Sequence, residues 1–307
     1  MPIPYMWSKS KSAVHIYNVI NAFTKDREKD LLVELFTGWF AIWEIFIEKW
    51  WKTIQNDKNK YVMALLEKCL DWLPEKVYDW VSREKFEDVI NNLWKYEDWY
   101  VWFIQCTWSF GNNQKWYLYW KDIEELKKQA DDFVVRKQVW SLIKKLLPQK
   151  YIDWVLKQKW IWERKMALSK IWKVLWNKME WMQRLQNLEG LQRLQRLQRL
   201  QLKDNILEII KWKSYDEVNI PKEAVVYCDP PYKWTATYAE WWFNHDKFWE
   251  YIRNLSKTNK IFISEYSAPE DFRVIYEFTQ KSCLQGWTQK HNNQSTEKLF
   301  VYNNLQL

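Results

Sequence analysis

The chain is short of glycine. Its 307 residues include only 4 Gly, where ordinary usage of about 7% would give roughly 21. Turns that need a positive φ therefore have few residues that adopt it without steric cost. Cysteine is scarce as well. Cys69, Cys106, Cys228 and Cys283 are scattered without a CxxC pair, which excludes a zinc-ribbon spacing and a disulfide framework and leaves buried thiols as the expectation. The three histidines, His15, His245 and His291, show no metal-ligand spacing, so no metal site is expected. No run of 18 apolar residues occurs, and Met1-Pro2-Ile3-Pro4 does not read as a signal peptide. The expectation is a soluble, cytoplasmic protein without membrane contact.

Tryptophan is in excess, with 26 residues. Many stand where loops call for glycine: Trp7 before Ser8-Lys9, Trp39 after Gly38, Trp234 after Lys233, and Trp241-Trp242 after Glu240. A loop that needs φ > 0 or close backbone approach accepts glycine and rejects an indole. One reading is a protein truly rich in tryptophan. The other, adopted here, is that many of these positions are UGA codons written as Trp but decoded as Gly in the source, with positions 7, 39, 43, 234, 241 and 242 foremost. Trp249 sits in an ordinary helical pattern and is read as genuine.

The charge is uneven. Residues 150–213 carry 15 Lys and Arg against 6 Asp and Glu, a surplus of +9 that leaves the rest of the chain near −1. A basic block of this size suits a polyanion such as double-stranded DNA, because phosphate contacts give affinity without sequence preference. A solvated helical face reads the same way. Within it, Leu191-Gln192-Arg193-Leu194-Gln195-Arg196-Leu197-Gln198-Arg199-Leu200-Gln201 is a three-residue repeat. Each step of three falls about 60° short of a helical turn, so its leucines form no fixed stripe and no heptad seam. It reads as a low-complexity insertion, or else as a DNA contact through Arg193, Arg196 and Arg199.

The most informative stretch is Val225-Val226-Tyr227-Cys228-Asp229-Pro230-Pro231-Tyr232. Proline cannot continue a central ladder, so the apolar run is a strand that ends after Cys228. Two prolines stiffen the loop and hold Asp229 and Tyr232 at the carboxyl edge of a sheet, where open α/β sheets bind ligands. A carboxylate and a proline carbonyl accept hydrogen bonds from an amino group, and an aromatic ring stacks on a flat base. A plain strand-ending turn is the bland alternative.

Upstream, Leu31–Phe36 reads as a strand, Thr37-Gly38-Trp39-Phe40-Ala41 as a tight turn and Ile42–Ile47 as a helix, the opening of a Rossmann unit. A second strand is expected at Lys52–Gln55. Asp57 lies 23 residues beyond Glu34, the kind of offset at which an acidic residue binds ribose hydroxyls, although a helix N-cap explains it equally. Helical patterns follow over 84–93, 122–130 and 134–147. Between them runs the polar loop 109–119. There Asn112 and Asn113 could read adenine edges and Lys115 hold backbone, or the loop could be a turn with no DNA contact. Further on, 245–255 reads as a helix, Lys260–Ser264 as a core strand and Lys298–Tyr302 as a terminal edge strand.

Together, Tyr5-Met6-Trp7-Ser8-Lys9, Phe36-Thr37-Gly38-Trp39-Phe40-Ala41, Asp57-Lys58-Asn59 and Asp229-Pro230-Pro231-Tyr232 resemble the motifs of the Dam-like adenine-N6 DNA methyltransferases, in the family's alpha order. The likeness covers residues 4–60 and 220–302 well and 71–214 loosely; the loop at 109–119 is similar to one in phage members. The resemblance implies an α/β fold, a Rossmann-like S-adenosylmethionine-dependent methyltransferase sheet with an inserted, mainly helical target-recognition domain. Its expected parts are 1–70 for the cofactor, 71–214 for DNA and 215–307 for the catalytic motif. It implies S-adenosyl-L-methionine held by Tyr5, Lys9, Glu34, Phe36, Gly38, Trp39, Asp57 and Asp229. Asp229, Pro230, Pro231 and Tyr232 are the implied catalytic residues, acting on a flipped adenine in a monomer without metal or covalent intermediate. Its setting would be the cytoplasm of a bacterial or phage-infected cell, alone or in a restriction-modification system. An N4-cytosine methyltransferase, which usually carries Ser in place of Asp229, and a catalytically dead DNA-binding homologue are the alternatives.

Overall fold

The computed structural model describes residues 9, 12–24, 31–38, 40–71, 73–110, 113–175, 206–232, 243–280 and 295–303. Among them are ten α-helices and a seven-stranded mixed sheet, an α/β architecture. The chain divides into two compact units: residues 9–63 with 201–307, and residues 64–200 with 1–8.

The first unit is built on the sheet. Its strands are β1 (Leu31–Glu34), β2 (Lys52–Asp57), β3 (Ile206–Lys211), β4 (Val225–Cys228), β5 (Lys260–Glu265), β6 (Phe272–Gln280) and β7 (Ser295–Tyr302), in the order β3-β2-β1-β4-β5-β7-β6. The first five run parallel, while β7 is antiparallel to both β5 and β6. The order 3-2-1-4-5 is that of a doubly wound nucleotide-binding sheet, here with an antiparallel pair at one edge. Strands buried on both faces read as unbroken apolar runs, and all four residues of β4 are buried. Val33, Val226, Ile261 and Ile263 share a core with Phe248, Trp249 and Ile252. The last three lie on α10 (His245–Leu255), capped by the Asn244 side chain accepting from the Lys247 amide. Trp249 is buried against Phe272, the setting of a genuine tryptophan. Before β1 lies α1 (Ala13–Ala22), packed on α2 (Ala41–Glu48).

Three strand expectations change. β3 lies inside the span 71–214 expected to form the insert, yet it pairs with β2 in the sheet. β6 carried no recognised pattern. The expected edge strand at 298–302 is the interior strand β7, covered on its outer side by β6.

In the second unit, every described element is helical apart from an isolated bridge between Ser109 and Tyr117. It contains α4 (Arg83–Asn91), α5 (Asp98–Thr107), α6 (Lys121–Arg136), α7 (Ser141–Leu146), α8 (Gln149–Lys157) and α9 (Ile161–Leu175), while α3 (Lys60–Asp71) starts before the division. Phe86, Phe103, Trp108, Phe133, Val155 and Leu168 are buried there. The pattern expected as two helices, 122–130 and 134–147, breaks later than expected. α6 runs on to Arg136 and stops at Lys137, which adopts a left-handed φ of 60°. No described helix is long and apolar enough to cross a membrane. No described group of His, Cys, Asp and Glu could hold a metal ion. Cys69, Cys106 and Cys228 are buried free thiols.

Among the described tryptophans, two kinds bear on the glycine reading. Trp50 and Trp212 have left-handed φ values of 68° and 65° and are 76% and 58% exposed. A left-handed conformation is where glycine is favoured and a bulky residue strained. Trp43, by contrast, lies inside helix α2, 2% exposed, with no hydrogen bond at its indole Nε1. Turn geometry supports no glycine at position 43, because a helix interior needs no positive φ. Trp7, Trp39, Trp234, Trp241 and Trp242 lie outside the described residues.

Candidate active site at the switch point of the sheet

Strand order reverses between β1 and β4, so their carboxyl ends open the crevice in which such sheets take ligands. Glu34 ends β1, Asp57 ends β2 and Asp229 follows β4. Topology thus brings to one rim three carboxylates that lie far apart in sequence.

The turn after β1 is held by side chains. Thr37 donates its amide to the Asn56 carbonyl at 3.0 Å and its hydroxyl to Gln55 Oε1 at 2.9 Å. Gly38 has a φ of +49°, and its amide donates to Asp57 Oδ2 at 3.0 Å. Phe40, which precedes α2, is also left-handed, with a φ of 59°. Glycine takes that conformation without strain, whereas Phe40 is strained there, and such strain gathers at functional sites. Phe36 packs beside Tyr215, Phe243 and Phe248 at the edge of the core. Asp57 also accepts the Asn59 amide at 2.8 Å through Oδ1. Asn59, not Asp57, caps α3, by accepting from the Tyr61 amide at 3.0 Å. Asp57 therefore ties the turn down, and each of its oxygens retains a second lone pair for a hydroxyl. Burial raises its pKa, opposed by those two amides.

Glu34 is 1% exposed, and its Oε2 has no hydrogen-bond partner. Burial pushes its pKa well above the usual carboxylate range. The charges of Asp229 and Asp57 add to the rise, and the Trp43 amide opposes it. A buried acceptor left unmatched is costly, and a water or a donor from outside the chain would relieve it.

At Asp229 the polar groups converge. Lys9 Nζ lies 3.0 Å from Asp229 Oδ1 and 2.6 Å from Glu297 Oε1. The Tyr232 hydroxyl donates to Asp229 Oδ1 at 2.8 Å and accepts from Lys9. The ammonium also stands 4.6 Å from the Tyr232 ring centroid, and Tyr266 meets that ring edge-on at 4.9 Å. The Lys9 carbonyl accepts the Ser12 amide at 2.9 Å and its hydroxyl at 3.1 Å, which fixes the lysine at the approach to α1. Burial raises the Asp229 carboxyl to about 7; the Lys9 charge pulls it down, and Glu297 and Glu265 push it further up. Burial alone would lower the Lys9 pKa, but Asp229 and Glu297 outweigh it and the ammonium is held above its ordinary value. Each member of the pair favours the charged form of the other.

Of the expected site residues, Lys9, Glu34, Phe36, Gly38, Asp57, Asp229, Pro230, Pro231 and Tyr232 all lie in the sheet unit around this rim. Tyr5, Trp39, Asn112, Arg193, Arg196 and Arg199 lie outside the described residues. Asn113 is half-buried in the helical unit. Its Oδ1 accepts the Lys115 and Trp116 amides, each at 2.9 Å, so the acceptor half of its amide is committed to its own loop. Lys115 is exposed. Within the described part of the basic block, Lys150, Lys157, Lys159 and Lys170 are exposed, while Arg164 and Lys165 are buried. Arg164 spends its guanidinium on four carbonyls, of Val134, Val135, Gln158 and Lys159. It is a structural residue, and the charge surplus overstates what faces solvent. Sequence reasoning missed Glu297 and Tyr266. Neither belongs to a motif, and only the antiparallel pairing of β7 explains why a carboxylate near the chain's end meets Lys9. No family model matches this chain, and a search of the curated proteins finds no match.

Proposed function

We propose that the chain is a DNA adenine-N6 methyltransferase that uses S-adenosyl-L-methionine, with its target-recognition region in the helical unit, within residues 71–200. One observation carries the reading. At the switch point of a doubly wound sheet, Asp229 and Tyr232 share a hydrogen bond with each other and with a buried lysine, and the orphan carboxylate oxygen of Glu34 is on the same rim.

The residues suit the cofactor. Glu34 Oε2 lacks a donor, Asp57 has acceptor capacity beside a left-handed glycine turn, and Phe36 offers an aromatic edge. Glu34, Gly38 and Asp57 would hold it, with Lys9 at the border and Tyr5 and Trp39 completing the set that the resemblance implies. When bound, S-adenosylmethionine supplies an electrophilic methyl group.

The chain's own work is done on the base. An adenine in the stack is out of reach, so it must be flipped out. Tyr232 then stacks on its face, and Asp229 and the Pro230 carbonyl accept hydrogen bonds from the two N6 hydrogens, one of which leaves as a proton once the methyl group is bonded. These hydrogen bonds orient the amine lone pair and stabilise the positive charge that develops on nitrogen. Asp229 performs this as an anion. Lys9 favours that ionised form, and the Tyr232 hydroxyl, bonded to the same carboxylate, fixes the angle between ring and acceptor.

The test is methyl transfer by the full chain in its glycine-decoded form, with glycine at positions 7, 39, 234, 241 and 242. The substrate is unmethylated duplex DNA with methyl-labelled cofactor, read by nucleoside analysis. N6-methyladenine is the expected product. N4-methylcytosine would shift the assignment to the cytosine class. DNA binding without cofactor binding would establish the catalytically dead alternative.

A further inference from the structure

We propose that Glu297, on the antiparallel strand β7, is a positioning residue of the active site: it holds the Lys9 ammonium between two carboxylates, so that Asp229 keeps its capacity to accept from a substrate amine. The inference rests on the methyltransferase reading for what Asp229 does, and on geometry alone for what Glu297 does.

Glu297 Oε1 is nearer to the ammonium than Asp229 is, 2.6 Å against 3.0 Å, and the side chains of Glu297 and Lys9 are 5% and 7% exposed. Charges buried to this degree persist only when paired, and they lock each other's rotamers. Lys9 has two carboxylates to serve. Without Glu297 it would turn wholly to Asp229, and a full ion pair there would compete with the substrate amine for the same lone pairs. The Tyr232 hydroxyl already occupies one of them. Sharing the ammonium weakens that competition while still opposing the cost of burying Asp229. Among the described residues, the charged and titratable groups bearing on Asp229 are Lys9 from the approach to α1, Tyr232 from its own loop, Glu34 at the end of β1, Tyr227 and Cys228 on β4, Glu265 at the end of β5 and Glu297 from β7. Glu297 raises the Asp229 carboxyl, whose value is about 7, so its loss moves that value down. The β6–β7 pair is then part of the site and not only an edge of the sheet, and the site is complete only when a strand 288 residues from Lys9 has docked.

Two measurements test this on Glu297→Gln and Glu297→Asp in the full chain. The first is the pH profile of methyl transfer. Wild type should show an acid limb near pH 7, set by Asp229. Glu297→Gln should move the limb to lower pH and reduce kcat on the order of ten- to a hundredfold with KM for DNA unchanged, as expected for a misplaced group. A residue that merely supports the fold would lower stability and leave the limb in place. The second is the pH profile of Lys9 acylation, followed by peptide mass spectrometry with exposed Lys157 as internal reference. Its midpoint reports the lysine's pKa whatever its accessibility, and needs no catalysis. Wild-type Lys9 should have a midpoint above the ordinary lysine value of about 10.4, and Glu297→Gln should lower it. Glu297→Asp keeps the charge at a shorter reach and should fall between the two. A folded Glu297→Gln with limb and Lys9 midpoint both unmoved would overturn the proposal. So would Glu297→Asp behaving as wild type, or a wild-type Lys9 midpoint at or below the ordinary lysine value. These last two hold even if Glu297→Gln fails to fold. Wild type that transfers no methyl group would sink the methyltransferase reading, and acylation alone would then decide whether Glu297 holds Lys9.

Discussion

The sheet unit and the helical unit use their polar residues in opposite ways. In the sheet unit, charged groups stand at strand ends, where a parallel sheet cannot satisfy them internally: Glu34 retains an orphan oxygen, and Asp229 is held near 7 by burial and its neighbours. In the helical unit, the described polar groups are largely consumed by the fold. Arg164 bonds four carbonyls, Arg136 bridges Asp79 and Asp132, and Asn113 holds its own loop. In the first unit an orphan carboxylate oxygen and the left-handed Phe40 stand at the rim. In the second, satisfied networks mark scaffold, although Trp99 Nε1 is buried there without a well-formed hydrogen bond, and the proposed contact with DNA has to rest on exposed lysines. Removing a rim residue should therefore cost activity, and removing a buried polar residue of the helical unit should cost stability.

The sharpest way to break that comparison is Asp229→Ala. It should reduce methyl transfer on the order of 10³-fold, comparable to losing a principal electrostatic group, while affinity for duplex DNA is largely retained. An alanine variant with wild-type turnover on adenine-containing duplex would remove Asp229 from the mechanism.

Arg164→Ala is the counterpart. Its guanidinium donates to carbonyls at the end of α6 and just ahead of α9 at distances of 2.5–3.2 Å, and burial lowers its pKa. Leaving those carbonyls unpaired in the interior should cost about 3 kcal/mol. The loss should appear in urea denaturation and leave the pH limb of methyl transfer in place. A variant as stable as wild type would show that the carbonyls find other donors.

How far the sequence was readable follows the same division. Asp229–Tyr232, the turn at Gly38 and Asp57 were legible because parallel strands put their carboxyl ends on one rim, so residues just after an apolar run can be assigned to it. Glu297 was not, because its place depends on the register of an antiparallel pair, and register leaves no local signature. β3 was missed for a related reason. Ile206-Leu207-Glu208-Ile209-Ile210 has only Ile210 buried, and an edge strand that close to a low-complexity repeat reads as more of the repeat. In the helical unit, periodicity found helices. It could not tell that Arg164 and Lys165 face inward, since a basic stretch has the same charge whichever way it points.

A smaller effect tests the exposed lysines. Lys150, Lys157 and Lys159 lie on or beside α8. Changing all three to Gln should weaken DNA binding about tenfold and flatten its salt dependence by about 0.9 in log–log slope for each phosphate that is no longer neutralised. The weakening should be uniform across sequences. Deleting Leu191–Leu200 should weaken binding only modestly if that repeat is an insertion. A flat salt profile in wild type would count against electrostatic binding altogether.

The smallest expected effect divides the tryptophans. Trp50 closes the turn after α2, its amide donating to the Ile47 carbonyl at 2.9 Å, and Trp212 follows β3; both are left-handed and exposed. A left-handed L-residue costs roughly 1–2 kcal/mol, and glycine returns part of that gain through its freer unfolded chain. Trp50→Gly and Trp212→Gly should therefore each stabilise the fold by about 1 kcal/mol. Trp249→Gly, which empties a buried site against Phe248 and Phe272, should cost about 3–5 kcal/mol. Trp43 belongs with Trp249 by burial, although its unbonded indole nitrogen shows that it fits less well. The opposite signs follow directly from recoding: a codon meant for glycine leaves a strained, solvent-facing indole, and a codon meant for tryptophan leaves a packed one. The gene provides the check. TGA codons at 50 and 212 with TGG at 249 support the division, and the mass of the native protein counts the exchanges. TGG at 50 and 212 would refute recoding at those positions, and the left-handed turns would then be strain that the protein carries.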